Sequence, residues 1–399
     1  MSNRPLHAVL LPAAELLEPL AAALDGTGPA IAPLDPALPP ARLRQLLGLL
    51  APDALRRPDG SIEPLPAGPA PGIGDGTAVV IVTSGSTGTP KGVELSAAAL
   101  RHSARASLDR IGARPGQRWL CCLPVSHIAG LQVLIRSLLA DSTPVICDRL
   151  DRAVAEASEG LHVSLVPTQL RRLLSDGVDL AQPFRSILLG GAAAPAHLLE
   201  EASQAGGRVV TTYGMSETCG GCVYDGMPLD GVRVRVGQGG LIQIAGAVLF
   251  SGYRSRPSGE AAETGEAWFT TADLGSVGPD GRLAVRGRAD DVINTGGEKV
   301  VAGEVAAALE ACAAVRAAVV VGRPDPEWGE RITAVVVPAD PTQPPDLEFL
   351  RAHVRQTLPV SAAPRELVLV EEFPLLPSGK PDLRALREPG RNKRANREQ

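Results

Sequence analysis

Of the 39 lysines and arginines in this chain only four are lysine: Lys91, Lys299, Lys380 and Lys393. Three of the four sit in glycine-rich segments: Thr83-Ser84-Gly85-Ser86-Thr87-Gly88-Thr89-Pro90-Lys91-Gly92, Gly296-Gly297-Glu298-Lys299 and Pro377-Ser378-Gly379-Lys380. Arginine is a planar fork. Lysine is a compact charge on a thin stem, suited to a crowded phosphate or an attacking oxygen. A sequence that otherwise favours arginine and keeps three of its four lysines there points to an enzyme that handles a nucleotide.

The first segment carries the most chemistry. Hydroxyl and backbone N–H donors on a glycine-rich turn form a concave anion site, because glycine lets the backbone approach oxygen closely. Lys91 adds one mobile positive charge. The segment is not a P-loop, which needs Ser or Thr directly after its lysine; here Gly92 follows Lys91.

Elements must hold these segments in place. Val79–Val82 reads as a buried strand that runs into the first loop. Short apolar runs at Trp119–Leu123, Pro144–Cys147, Val163–Val166, Ile187–Leu189 and Val209–Thr212 alternate with helical stretches at Ala97–Asp109, Leu131–Ala140 and Ala196–Ala205. That alternation predicts layered α/β structure with a largely parallel sheet. Residues 50–76, rich in Pro, Gly and Asp, read as loop.

From Val232 the pattern becomes short strands between turns: Val232–Val236, Leu241–Ile244, Val248–Phe250, Trp268–Thr271 and Leu283–Val285, a β-rich subdomain. A compact α+β pattern closes the chain, with helices at Ala302–Cys312 and Leu347–Thr357 and strands at Val315–Val321 and Ile332–Val337. The expected class is therefore α/β and α+β: a large N-terminal domain over 1–289 and a small mobile C-terminal domain over 290–399.

Composition narrows the class further. A net charge of −5 argues against nucleic acid as the main partner, and the basic run Arg387–Arg397 reads as a solvated tail. No apolar run reaches the length that spans a bilayer, and the first thirty residues lack a secretory signal pattern. Six cysteines in 399 residues make no disulfide framework, so reduced thiols in the cytoplasm are expected. Cys219-Gly-Gly-Cys222 has the spacing of a zinc half-site but no second pair to complete it.

The first loop resembles the phosphate-binding signature of the adenylate-forming superfamily of acyl-CoA synthetases, adenylation domains and luciferases. The resemblance runs from about residue 78 to 386, since further signatures follow in the family's order. These are Thr212–Thr218 (TYGMSET), Thr271–Gly275 (TADLG), Gly287–Ile293 (GRADDVI), Gly296–Lys299 (GGEK) and Leu376–Lys380 (LPSGK).

The resemblance implies a two-step acyl transfer: a carboxylate attacks the α-phosphorus of ATP, then the thiol of CoA attacks the acyl-adenylate. It implies that Thr83, Ser84, Gly85, Ser86, Thr87, Gly88 and Lys91 hold the β- and γ-phosphates. Tyr213 and Gly214 would lie against the adenine, and Ser216 would serve the α-phosphate. Glu217 would ligate Mg²⁺, Asp273 would accept the ribose hydroxyls, and Arg288 would contact ribose or phosphate. Asp290 matches the hinge of the family's C-terminal domain, and Lys380 its catalytic lysine. After rotation about that hinge, Gly296, Gly297 and Lys299 would replace the Lys380 loop, the glycines leaving room for the pantetheine arm.

The segments Leu123–Leu138 and Tyr213–Gly226 also look like those of the o-succinylbenzoate–CoA ligases of menaquinone biosynthesis, whose substrate is an aromatic dicarboxylate. The phosphate loop begins at residue 83, a short lead-in that shorter members of that family share. The carboxylate not activated needs a polar anchor. Arg136 is a candidate, since an arginine within the apolar Leu131–Leu139 helix needs a partner; it could equally pair with an internal acid such as Asp141. His127 would line the acyl pocket or cap the helix. Gly190, Gly191 and Gly220 would form its floor. Other acids, a carrier protein as acceptor, a silent nucleotide sensor and a homodimer all remain open at this stage.

Overall fold

The computed structural model describes residues 4–66, 72–84, 90–254, 268–376 and 381–388. Its contacts divide the chain into two compact units. Residues 1–193, 201–234 and 244–269 form the first, and residues 194–200, 235–243 and 270–399 the second.

The first unit contains two seven-stranded sheets among the described residues. In one, Leu6–Val9 pairs in parallel with Ala30–Pro33 and with Ala54–Arg56, and Ala30–Pro33 pairs in parallel with Thr77–Ser84. Thr77–Ser84 then turns back antiparallel onto Pro90–Ser96, which carries Gly252–Tyr253 on its far edge. In the other, Val209–Met215, Phe184–Leu189, Leu161–Leu165, Trp119–Cys121 and Val145–Ile146 run parallel in that order, and Gly220–Tyr224 closes one side antiparallel. Ala78 to Ile81 are fully buried, as expected of a strand covered on both faces.

The three helices expected here occur as Ala97–Ile111, Ile128–Leu139 and Ala196–Gln204. Ser96 caps the first of them by accepting from the Ala99 N–H. Gly130 lies in the first turn of the second, against the chain that leads into it. A Cβ there would fall 2.4 Å from the Pro124 carbonyl oxygen and 2.5 Å from that of Leu123.

Two expectations need correction. Residues 50–76 are not all loop, because Ala54–Arg56 and Ile62–Pro64 form a hairpin on the sheet edge. Alternation is hard to see in three-residue strands, and the turn between them supplied the Pro and Gly that looked like loop. Val248–Phe250 is not a strand. Its last N–H is spent on the carbonyl of Glu217, at 2.9 Å, rather than on a ladder.

The second unit holds the antiparallel pair Phe269–Val277 and Leu283–Arg288, within a four-stranded sheet. A five-stranded sheet is built on Val315–Asp325 and Gly329–Pro338. Helices Ala302–Glu310 and Leu347–Val354 cover a core of Val305, Leu309, Ile332, Ala334, Val336, Leu350 and Val354. Among the described residues no helix is long and apolar enough to cross a membrane, and no cluster of His, Cys, Asp and Glu could hold a metal. Cys219 and Cys222 are fully buried free thiols.

Candidate active site

The expected site residues fall into two clusters, one in each unit. In the first unit the phosphate segment is flanked by two antiparallel strands. Thr83 lies directly across from Lys91, and Ser84 across from Pro90. Gly85, Ser86, Thr87 and Gly88 lie outside the described residues. Gly92 holds the base of the hairpin, since a Cβ there would fall 2.9 Å from the Arg254 Cβ. Arg254, nearly buried, donates from Nε to the Leu50 carbonyl at 2.7 Å and pairs with Glu94 at 3.5 Å. Burial pushes the Glu94 carboxyl above its usual range, and Arg254 opposes that shift.

The second piece of this cluster is a tight hairpin. Strand Val209–Met215 passes through a single 3-10 turn, Ser216–Thr218, and returns as Gly220–Tyr224. Gly214 opposes Gly221 and Met215 opposes Gly220. A Cβ on Gly214 would stand 2.0 Å from the Gly220 carbonyl oxygen, so no other residue fits. Cys219 takes a left-handed conformation, and Gly220 has φ +99°.

Two helices hold that turn. Gln132 Nε2 donates to the Cys219 carbonyl at 2.8 Å, and Ser103 Oγ donates to the same oxygen at 3.1 Å. Thr218 Oγ1 accepts from the Met215 N–H and donates to the Gly220 carbonyl. Ser216 is buried, while Tyr213 and Glu217 are half-buried.

Glu217 Oε1 accepts from the Tyr253 hydroxyl at 2.9 Å. Among the described residues its other carboxylate oxygen has no protein partner. A half-buried carboxylate with one oxygen fixed and one available suits a hard divalent cation such as Mg²⁺. Lys91 Nζ lies 5.1 Å from the centroid of the same Tyr253 ring.

Arg136 resolves one alternative. It is 5% exposed and its partners are all neutral. It donates to the Gln132 carbonyl at 3.0 Å, to Ser107 Oγ at 3.1 Å and to Ser164 Oγ at 3.1 Å, and it lies 4.3 Å over the Trp119 ring. It makes no bond to Asp141. Burial lowers its pKa from the ordinary value, and the adjoining Tyr224 phenol works in the opposite direction.

His127 stands at the N-terminal boundary of the same helix without capping it through its side chain. Gly190 packs against Thr212, whose Oγ1 would be 2.3 Å from an added Cβ, and Gly191 has φ +81°.

In the second unit Asp273 lies directly across from Arg288. Asp273 is 8% exposed, and its Oδ1 is 3.6 Å from Arg288 Nη1. The stronger bond goes elsewhere. Arg288 grips Asp290 through two contacts of 2.8 Å, which raise its pKa further.

Gly296 and Gly297, with φ +60° and +84°, form the two-residue turn between Val292–Thr295 and Glu298–Val301. A Cβ on Gly296 would fall 2.8 Å from the Trp328 ring, over which Arg365 stacks at 3.9 Å. Lys299 is exposed on the return strand.

Lys380 lies outside the described residues, but the segments beside it are clasped. Leu375 bridges Pro381, and the Asp382 N–H donates to the Pro374 carbonyl at 2.8 Å. Asp382 also caps helix Leu383–Arg387. Leu386 is fully buried, and Arg387 donates to Asp291 at 2.9 Å.

Sequence reasoning missed Tyr253, Gln132, Ser103 and Trp328. A signal existed for two of them. The chain has only three tyrosines and three tryptophans, so each is as conspicuous as the lysines.

In the first unit, paired strands flanking a Ser-, Thr- and Gly-rich segment and a half-buried carboxylate with one oxygen available are features of a nucleotide-dependent enzyme. Residues 50–269 match the AMP-binding enzyme family, and residues 304–380 match the AMP-binding enzyme C-terminal domain. The chain belongs to the AMP-binding enzyme family.

It is 48% identical over 328 residues to the "Probable 2-succinylbenzoate--CoA ligase" of Mycobacterium tuberculosis, covering 79% of this chain and 85% of the relative. It is 35% identical to the 2-succinylbenzoate–CoA ligase of Bacillus pumilus, covering 65% and 59%. Its fold is similar to that of o-succinylbenzoate CoA synthetase from Bacillus subtilis in complex with the acyl-adenylate intermediate OSB-AMP. The TM-score there is 0.81 at 26% identity, over 97% of this chain and 89% of the other.

Proposed function

We propose that this chain is an AMP-forming acid–thiol ligase that converts o-succinylbenzoate, ATP and CoA to o-succinylbenzoyl-CoA, AMP and pyrophosphate in the cytoplasm, as a step of menaquinone biosynthesis. The observation that carries the choice of acid is Arg136, a buried cation whose protein partners are all neutral. An aromatic dicarboxylate brings two charges. One is consumed in the reaction, and the other must meet a cation.

In the first step a carboxylate oxygen of the acid bonds to the α-phosphorus while the bond to the β-phosphate bridge breaks. Two anions approach each other, so fixed positive charge and donors must face the developing charge. Thr83, Ser84, Gly85, Ser86, Thr87, Gly88 and Lys91 hold the departing β,γ portion. Ser216 donates to the α-phosphate, and Lys380 bridges it and the acid. When bound at Glu217, Mg²⁺ supplies charge neutralisation across the phosphate oxygens. Tyr213 and Gly214 support the adenine, and Asp273 and Arg288 the ribose. His127, Gly190, Gly191 and Gly220 shape the acid pocket beside Arg136.

In the second step the CoA sulfur bonds to the acyl carbon and the bond to AMP breaks. Rotation about Asp290 withdraws the Lys380 loop and brings in Gly296, Gly297 and Lys299. The glycine pair leaves backbone alone beside the pantetheine arm.

The test is pyrophosphate release across o-succinylbenzoate, benzoate, medium-chain fatty acids and amino acids, each with and without CoA. Turnover confined to o-succinylbenzoate, with CoA converted to thioester, is expected. Preference for a monocarboxylate would overturn the choice of acid and leave the adenylating chemistry intact. Light scattering on the same protein distinguishes monomer from homodimer.

A further inference from the structure

The chain has five phenylalanines and three tyrosines, and three of these rings meet beside Glu217. Phe250 lies 4.9 Å from Tyr253 at an interplanar angle of 60°, and 5.2 Å from Phe269 at 75°. Such tilted and edge-on contacts fix a ring's orientation. The backbone of the segment is equally well held. Gly252 and Tyr253 pair with Glu94 and Val93, on the strand that begins at Lys91. The Arg254 N–H donates to the Gly92 carbonyl at 2.8 Å, and the Ser251 N–H to the Glu94 carbonyl at 2.8 Å. The Phe250 N–H reaches the other way, to the Glu217 carbonyl. The segment therefore joins the phosphate hairpin to the Ser216–Thr218 turn.

Tyr253 touches a charge on each. Its hydroxyl donates to Glu217 Oε1 at 2.9 Å, and Lys91 Nζ lies 5.1 Å from its ring centroid. Yet Lys91 and Glu217 form no ion pair with each other among the described residues. An ammonium and a carboxylate left to find one another in a half-buried cleft would pair and neutralise. The ring offers the ammonium a π face, and the hydroxyl offers the carboxylate a donor, so each charge is held without cancelling the other.

We propose that Tyr253 is a positioning residue for the polyphosphate step: it keeps Lys91 available to phosphate and Glu217 oriented toward a divalent cation by preventing their direct pairing. This rests on the roles of Lys91 and Glu217 given above. The proposed role lies wholly in the polyphosphate step and gives Tyr253 no part in the second half-reaction.

The test is calorimetric binding of ATP with Mg²⁺, ATP with EDTA, and AMP, to the whole chain and to Tyr253→Phe, Tyr253→Leu and Glu217→Gln. Tyr253→Phe keeps the ring and should unfold at the parent temperature. It is expected to weaken Mg²⁺-dependent ATP binding about tenfold or more, as loss of a hydrogen bond to a charged group does, and to leave AMP unchanged. Tyr253→Leu also frees Lys91 to pair with Glu217, so ATP in EDTA should weaken too. Thioester formation from supplied acyl-adenylate should stay at the parent rate in Tyr253→Phe.

If Glu217→Gln loses the Mg²⁺ dependence and Tyr253→Phe retains it, the proposal fails alone. If Glu217→Gln itself retains it, the cation assignment fails and takes the proposal with it. An equal loss of ATP and AMP binding in Tyr253→Phe would mark a merely structural tyrosine and overturn the proposal.

Discussion

Each unit places a glycine pair next to a charged residue, and the two pairs are built on opposite principles. At Gly214 and Gly221, beside Glu217, adjacent strands press so closely that a Cβ on Gly214 would overlap the Gly220 carbonyl and one on Gly221 would stand 3.0 Å from the Tyr224 ring. At Gly296 and Gly297, before Lys299, the demand is conformational. Both have positive φ, and an added Cβ on Gly297 meets nothing within 4 Å. The first pair is locked by packing from two helices. The second is a turn tip that keeps one side open.

The ion pairs divide the same way. Arg254 and Glu94 are largely buried, whereas Arg288 and Asp290 remain about two-fifths exposed, with side-chain accessibilities of 44% and 39%. The first pair is largely shielded from solvent, whereas water can exchange with the contacts between Arg288 and Asp290, the proposed hinge.

The largest effect should come from the residue proposed to act in one half-reaction only. Lys380→Ala should lower adenylate formation on the order of 10²–10³-fold, as removal of a group facing developing charge does, and should spare thioester formation from supplied adenylate. Equal loss in both half-reactions, measured in single turnovers, would erase the division of labour between the units.

Gly214→Ala should destabilise the chain by about 3 kcal/mol, the upper range of overpacking, because the obstacle is backbone. Urea unfolding measures it, and a parent-like midpoint would break the contrast with Gly297. Arg136→Leu should raise the Michaelis constant for the dicarboxylate about tenfold or more, roughly 1.4 kcal/mol, with that for ATP little changed. An unchanged constant for the acid would remove Arg136 from the pocket.

Asp290→Asn releases Arg288 toward Asp273. Because the pair is exposed, at most about 1 kcal/mol is at stake. AMP should bind tighter by less than about fivefold at low salt, and the gain should vanish at high ionic strength. Gly297→Ala, the smallest change, should cost about 1 kcal/mol from its positive φ alone. A loss as large as that of Gly214→Ala would mean the two glycine pairs are not different after all.

The chemistry was legible where residue type is restrictive. Few lysines and a run of Ser, Thr and Gly pointed to Lys91, while Glu217 and Asp273 were legible only through the family signatures that contain them. The strands and helices around them followed from their apolar spacing. What the sequence hid is register and long-range pairing. That Thr83 faces Lys91 across a hairpin depends on where the chain turns, inside the loop itself. Gln132 and Ser103 read as ordinary helix residues, and only the fold brings both to the Cys219 carbonyl, 87 and 116 positions away. Tyr253 stands out by its rarity, but nothing local says that its hydroxyl meets a carboxylate 36 positions back. For Arg136 the sequence left an anchor role and a bond to Asp141 open, and the neutral surroundings remove the second.

Those surroundings have a thermodynamic side. A desolvated guanidinium with no counter-ion makes the empty protein less stable than its packing alone would allow. On the proposed anchor role of Arg136, a bound dicarboxylate supplies the missing charge and, by mass action, adds about 2.7 kcal/mol at a hundredfold excess over its dissociation constant. Resistance of this chain to heat and to proteolysis would then track the cell's supply of the acid, so that the enzyme lasts longest when there is work for it.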